Sequence, residues 1–267
     1  MLRFISFGSG SSGNCYYLYT ETESLLIDAG IGPRLLKKYF IEYGLPLADI
    51  KNVLLTHDHA DHVKSIGNVC EKTGAIVYTT REVHIGIDKS YCIRKKVPAD
   101  NRRYVEKGKT FSIGSFTITP FGVPHDSADN VGYKIECEGI TFCIITDAGE
   151  ITDEMKQYIS DANYLVIEAN HDVEMLKAGH YPEHLKRRIL SNIGHLSNEA
   201  CALALCENAT PKLRHVWLCH LSDENNHPEL ARTTIANILR EHGIIADTDF
   251  QLDTLRRKLP SEINVLE

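Results

Sequence analysis

The sequence predicts an α/β protein built as a four-layer αββα sandwich, two mixed β-sheets packed face to face and flanked by helices. Three observations carry this reading. Two strand-rich blocks, the first 80 residues and 110–146, are each followed by helical patterns, and apolar sheets need helices to cover them. No repeat, low-complexity tract or linker divides the chain, so residues 1–267 are expected to form one domain. A hydrophobic content of 43% suffices for a sizeable core.

The elements follow in order. Residues 2–7 are a predicted strand, and G-S-G-S-S-G-N at 8–14 is a glycine- and serine-rich turn whose backbone N–H groups suit an anion. Residues 16–20 and 24–28 pair as a hairpin. Pro33 opens an amphipathic helix with Leu35, Leu36, Tyr39 and Phe40 on its apolar face, and Gly44 ends it. A strand at 52–56, a polar loop, a helix reaching Lys72 and a strand at 75–79 complete the first block. Gly114, Gly122 and Gly139 punctuate the strands of 110–146. Beyond them the pattern predicts helices at 152–160, 182–191, 198–208 and 228–242, with strands at 164–167 and 215–218.

A net charge of −7 excludes a protein that coats nucleic acid through a strong positive field, although a local basic groove stays open. Two basic patches stand out, Arg94-Lys95-Lys96 with Arg102-Arg103, and Lys186-Arg187-Arg188 on a predicted helix. Eight cysteines without C-x-x-C spacing, among them Cys137, Cys143 and Cys219 inside apolar runs, read as reduced core residues. The N-terminus lacks a signal-peptide pattern and no apolar run approaches a membrane span, so a cytoplasmic protein with no membrane partner is expected.

The chemistry concentrates in H-D-H-A-D-H at 57–62, which follows the apolar run 53–55. Imidazole is the commonest metal ligand, and side chains two apart on extended backbone share a face. His57 and His59 therefore suit one cation, and Asp61 and His62 a neighbouring one. Asp58 suits backbone bonds that fix the loop. Further ligands are expected at the ends of other strands: His125 in F-G-V-P-H-D, Asp147 in I-I-T-D-A-G-E, where a carboxylate could bridge two ions, and His220 in V-W-L-C-H-L-S. His195, in G-H-L-S-N-E, sits before Ser197, a helix N-cap candidate.

This ordered set resembles the ligand motifs of the metallo-β-lactamase superfamily. The resemblance implies that His57, His59 and His125 hold one metal and Asp61, His62 and His220 the other, with Asp147 between them. The adjacent Asp61 and His62, together with an Asp bridge, are similar to the nuclease and phosphodiesterase branches. G-H-L-S at 194–197 and L-C-H-L-S at 218–222 look like the paired motifs of tRNase Z-like phosphodiesterases, in which the first His serves the phosphate. His125 and Asp147 lie 22 positions apart (147 − 125), too close for an inserted tRNA-gripping arm. Asp147 and His195 lie 48 apart (195 − 147), too close for the extra domain of the β-CASP nucleases. With F-G-S-G-S-S-G-N-C, T-D-A-G and I-E-A-N-H-D, the chain most resembles the YycJ/WalJ group of small bacterial exonucleases.

What that implies is a 5′→3′ DNA exonuclease with two divalent ions, zinc, manganese or iron, acting on DNA ends. Asp61 would accept the proton of the attacking water and His195 would donate to the leaving oxygen or bind the phosphate. Ser11, Ser12, His171 and Ser197 are candidate substrate contacts, with Glu168 and His171 as alternative supports for ligand imidazoles. Two other readings stay open: a small-molecule hydrolase (cyclic-nucleotide phosphodiesterase, thioesterase or lactonase), and a metal-stabilised signalling partner without catalysis.

Overall fold

The computed structural model describes residues 1–267. It contains two seven-stranded mixed sheets and their helices. The chain divides into two compact units: 1–120 with 127–131 and 256–267, and 121–126 with 132–255.

The first unit carries the sheet ordered β14-β1-β2-β3-β4-β5-β6. Its strands are β1 (Leu2–Gly8), β2 (Cys15–Tyr19), β3 (Ser24–Ile27), β4 (Asn52–Leu54), β5 (Ile76–Thr79), β6 (Arg102–Tyr104) and β14 (Asn264–Leu266). β2 and β3 form the expected antiparallel hairpin, with Tyr16 opposite Ile27, and β3, β4 and β5 then run parallel. Parallel order sends the C-terminal ends of β3 and β4 to the same edge, where Asp28 and the H-D-H-A-D-H loop follow. Helices α1 (Pro33–Glu42), α2 (Ala60–Val63), α3 (Ile66–Thr73) and α4 (Arg81–Lys89) belong to this unit. Pro33 opens α1 and Gly44, at φ +66°, follows its end as expected. The α1 face buries Leu36, Tyr39 and Phe40 against Phe7, whose ring centroid lies 5.1 Å from Phe40 and 6.1 Å from Tyr39.

The helix expected up to Lys72 is two pieces, α2 and α3. Helix α4 forms at 81–89, where no element is expected from the sequence. A Cβ at Gly86 would stand 2.0 Å from Asp58 Oδ2, so the glycine makes room for that carboxylate, which accepts from Ala128 N at 3.0 Å. Asp58 thus fixes the loop through a backbone bond, as expected.

The other sheet is ordered β13-β12-β11-β10-β9-β8-β7. Its members are β7 (Phe111–Ile113), β8 (Phe116–Gly122), β9 (Val131–Cys137), β10 (Ile140–Ile145), β11 (Tyr164–Glu168), β12 (His215–Cys219) and β13 (Gln251–Thr254). Strands β10 to β13 are parallel, so Asp147, Glu168 and His220 all lie at or just beyond C-terminal strand ends on one edge. The helices α5 (Asp153–Asp161), α6 (Val173–Ala178), α7 (Glu183–Ile189), α8 (Asn198–Asn208) and α9 (Pro228–Glu241) belong to this unit. Its core joins Cys143, Ile145, Leu165, Ile167, Val216 and Leu218 with Leu205, Ile235 and Leu239 of α8 and α9. β11 and β12 are nearly continuous apolar runs, as buried parallel strands require.

None of the eight cysteines is in a disulfide and six are buried. No helix is long and apolar enough to cross a membrane.

Candidate metal centre

In the first unit, the ligand loop runs extended through His57 to His59 and then enters α2, whose first turn carries Asp61 and His62. The change from extended to helical backbone folds the four side chains together. His57 lies 4.7 Å from His59 and 4.1 Å from His62, centroid to centroid. Asn14 N donates to Asp61 O at 2.7 Å and Ala29 N to His62 O at 2.6 Å, which pins the loop. Gly30 is obligatory there, because a Cβ would stand 1.5 Å from Asp61 O.

Asp28, which the sequence reading passed over, organises the imidazoles. It is fully buried at φ +59° and accepts His62 Nδ1–H at 2.7 Å, Thr56 N at 2.9 Å and the Thr56 hydroxyl at 2.9 Å. Having given its one proton to Asp28, Thr56 Oγ1 accepts from His57 Nδ1 at 3.0 Å. Both imidazoles therefore carry their lone pair on Nε2. Asn14 Nδ2 donates to His62 Nε2 at 2.8 Å and lies 3.4 Å from Asp61 Oδ2. Asp61 is the less buried member, with 23% of its side chain exposed.

In the second unit, ligand atoms of Asp147, Glu168, His195 and His220 all lie within 4.8 Å of one another. Glu168 Oε1 accepts from His195 Nδ1 at 2.8 Å and His220 Nδ1 at 3.0 Å, and Oε2 accepts Ala148 N at 2.8 Å and Leu196 N at 3.1 Å. Burial alone would raise the Glu168 pKa, but the charge and hydrogen bonds of His195 and the bond from His220 outweigh it and hold the carboxyl below its usual value. Burial likewise presses His195 down, yet Glu168 and then Asp147 leave its pKa raised. His125 donates Nδ1–H to Gly194 O at 3.0 Å, with Nε2 3.9 Å from Asp147 Oδ1. Asp147 and His220 occupy left-handed backbone at φ +55° and +53°, conformations that turn both side chains sharply at the strand ends.

Four imidazoles, His57, His62, His125 and His220, thus each give Nδ1–H to an oxygen and present Nε2 as the lone-pair atom, while His195 gives Nδ1–H to Glu168 and its raised pKa favours a second proton on Nε2. That tautomer, with the second nitrogen held by oxygen, is how metal-ligating histidines are oriented. The donor set fits a divalent ion: neutral imidazoles with carboxylates, and no thiolate among them.

The candidate substrate contacts lie in several places. Ser11 and Ser12 are exposed in the turn after β1, where Lys64 Nζ donates to Ser12 O at 2.6 Å. Asn14 accepts Gly10 N at 2.8 Å, tying that turn to the residue that touches His62 and Asp61. Ser197 caps α8 by accepting Ala200 N at 3.1 Å. His171 is 1% exposed, neither ring nitrogen has a hydrogen bond, and burial lowers its pKa to about 4 against the pull of Glu168. Asp28 had a sequence signal: L-I-D-A-G at 26–30 repeats the D-A-G of I-T-D-A-G at 145–149 after an apolar strand. Asn14 and the central place of Glu168 had none, because partners cannot be read from one sequence.

A family model described as a beta-lactamase superfamily domain matches residues 23–220. The chain is 36% identical to a Bacillus anthracis protein named exodeoxyribonuclease YycJ, over 98% of each chain. It is 35% identical to Streptococcus pneumoniae proteins named exodeoxyribonuclease WalJ, over 94% of this chain and 93% of theirs. Among solved structures, the metallo-beta-lactamase fold protein YhfI from Bacillus subtilis superposes with a TM-score of 0.72 at 17% identity, covering 98% of this chain and 100% of the other.

Proposed function

Because the chain belongs to the beta-lactamase superfamily, in the metallo branch that includes the YycJ and WalJ exodeoxyribonucleases, we propose that it is a metal-dependent phosphodiesterase that removes nucleotides from DNA ends, working 5′→3′ in the cytoplasm. The observation that carries this reading is the shared tautomer: four imidazoles, His62 oriented by Asp28, His57 by Thr56, His125 by Gly194 O and His220 by Glu168, each offering Nε2. We further propose that the two units act as one metallo-β-lactamase domain, in which His57, His59 and His125 hold one ion, Asp61, His62 and His220 a second, and Asp147 both. Zinc and manganese suit this mixture of imidazole and carboxylate.

When bound, the two ions would acidify a water and neutralise charge on the scissile phosphate. The chain's own groups supply the rest. Asp61, with 23% of its side chain exposed, takes the water's proton on its carboxylate. His195, whose pKa Glu168 and then Asp147 raise against the effect of burial, donates Nε2–H to the leaving oxygen, a role of about 10²–10⁴ in rate. Ser197 fixes the backbone that follows His195. Ser11 and Ser12, with Lys64 beside them, take a phosphate of the bound strand, whereas His171, 1% exposed, is too buried to touch it.

The test is digestion of end-labelled duplex DNA. Mononucleotides are expected from the 5′ end, with loss of product on chelation and in Asp61→Ala. Intact DNA alongside hydrolysis of bis-p-nitrophenyl phosphate or of thioesters would replace this reading with a small-molecule hydrolase.

A further inference from the structure

We propose that the end of α7 and the turn after it, residues 187–193, form the platform on which a polynucleotide strand lies as it enters the site. This rests on the nuclease reading above and adds which surface distinguishes a polymer from a small diester.

The three consecutive basic residues at the end of α7, Lys186, Arg187 and Arg188, meet different fates. Lys186 is turned inward, with Nζ on Lys177 O at 2.6 Å and 12% of its side chain exposed. Arg188 forks onto Asp126, the residue after His125, and keeps 47% of its side chain exposed. Arg187 is exposed and makes one long bond, 3.4 Å, to the carbonyl of Glu183 in its own helix. A guanidinium so placed is available to a phosphate, and Arg188 can serve a second one by leaving Asp126.

The apolar side chains of the same segment point to a partner with flat apolar faces as well as phosphates. Leu190 is 46% exposed and Ile193 47%. Leu190 stands three residues after Arg187, on the same helical face. A nucleic-acid strand supplies both complements, phosphate for arginine and sugar and base for the aliphatic side chains. A small diester offers only the first.

The platform is also rigidly placed. Ile189 O accepts His195 N at 3.0 Å, Ile193 O accepts Asp126 N at 3.0 Å, and Gly194 O accepts the ring of His125 at 3.0 Å. Gly149, two residues after Asp147, packs so tightly that a Cβ would stand 2.3 Å from the Asn192 carbonyl carbon. A strand held on 187–193 is therefore registered against His125, Asp147 and His195.

Arg187→Ala and Ile193→Ser, with Arg94→Ala as a control in the other basic patch, test this. Two readouts apply: binding of a fluorescein-labelled DNA oligonucleotide in chelator, followed by anisotropy across salt concentrations, and the ratio of kcat/KM for DNA to that for bis-p-nitrophenyl phosphate in metal. Arg187→Ala is expected to flatten the slope of log Kd against log salt by about 0.7–0.9. Each of the two variants should lower the kcat/KM ratio by about tenfold, and Arg94→Ala should leave it as in the wild type. Equal ratios in all proteins, or a loss shared equally by both substrates, would overturn the platform. A wild-type protein that hydrolyses the diester and never cuts DNA would overturn the nuclease reading instead.

Discussion

Glu168 and His195 meet through a 2.8 Å hydrogen bond between a fully buried carboxylate and an imidazole whose side chain is 15% exposed. The carboxylate also accepts His220 Nδ1, Ala148 N and Leu196 N, so its negative charge is met by four donors and persists without water. It orients two imidazoles at once and raises the pKa of His195.

Glu168→Gln keeps the shape and removes the charge. The amide turns a donor toward one set of donors, costing about 1–3 kcal/mol in stability. With the negative charge gone, the His195 pKa falls, and the alkaline limb of the kcat/KM profile moves to lower pH. An expected drop of about 10²-fold in kcat accompanies it. A pH–rate profile with an unmoved alkaline limb would show that Glu168 acts only on packing.

Asp28→Asn should weaken metal binding without touching any ligand. Asp28 accepts His62 Nδ1–H and the Thr56 hydroxyl that positions His57. The asparagine can satisfy only part of this set, and loss of such support lowers metal affinity by about 10–100-fold. Chelator competition with zinc reads the difference directly.

Gly30→Ala places a methyl group where the Asp61 carbonyl stands, 1.5 Å away. The ligand loop must shift, at a cost of about 1–3 kcal/mol or more. A lowered Tm together with weakened metal binding is expected. An unchanged Tm would mean that the loop moves freely against the Asp28–Gly30 turn.

The site was legible where its chemistry is written in residue type and order. H-D-H-A-D-H is legible from residue type alone, and His125, Asp147 and His220 from their places after apolar strands. The two mixed sheets likewise followed from apolar runs and their punctuation. What stayed hidden depends on partners distant in sequence. Asp28 is 34 residues from the imidazole it orients, and Asn14 is 48 from the same ring. In α4, Gly86 admits the Asp58 carboxylate, a contact with a residue 28 positions away (86 − 58) that the sequence does not show. Two short edge strands, β6 and β14, carry too few residues to show a period.

His171 gives a pH dependence of stability. Its pKa is lowered to about 4 by burial, below the ordinary 6.5. Above pH 6.5 neither the folded nor the unfolded chain carries this proton. As pH falls from 6.5 toward about 4 the unfolded chain binds it and the folded one does not, so stability declines by up to about 1.4 kcal/mol per unit across that window. Urea denaturation in chelator at several pH values checks this, and His171→Gln should flatten the decline there. An equally steep decline in the variant would assign it to other groups.

Metal stoichiometry tests the centre most directly. Elemental analysis of the protein reconstituted with zinc or manganese is expected to give two ions per chain, and one or none after Asp147→Ala. A wild-type chain that retains no ion, or a variant that retains both, would contradict a pair of cations held by His57, His59, Asp61, His62, His125, Asp147 and His220.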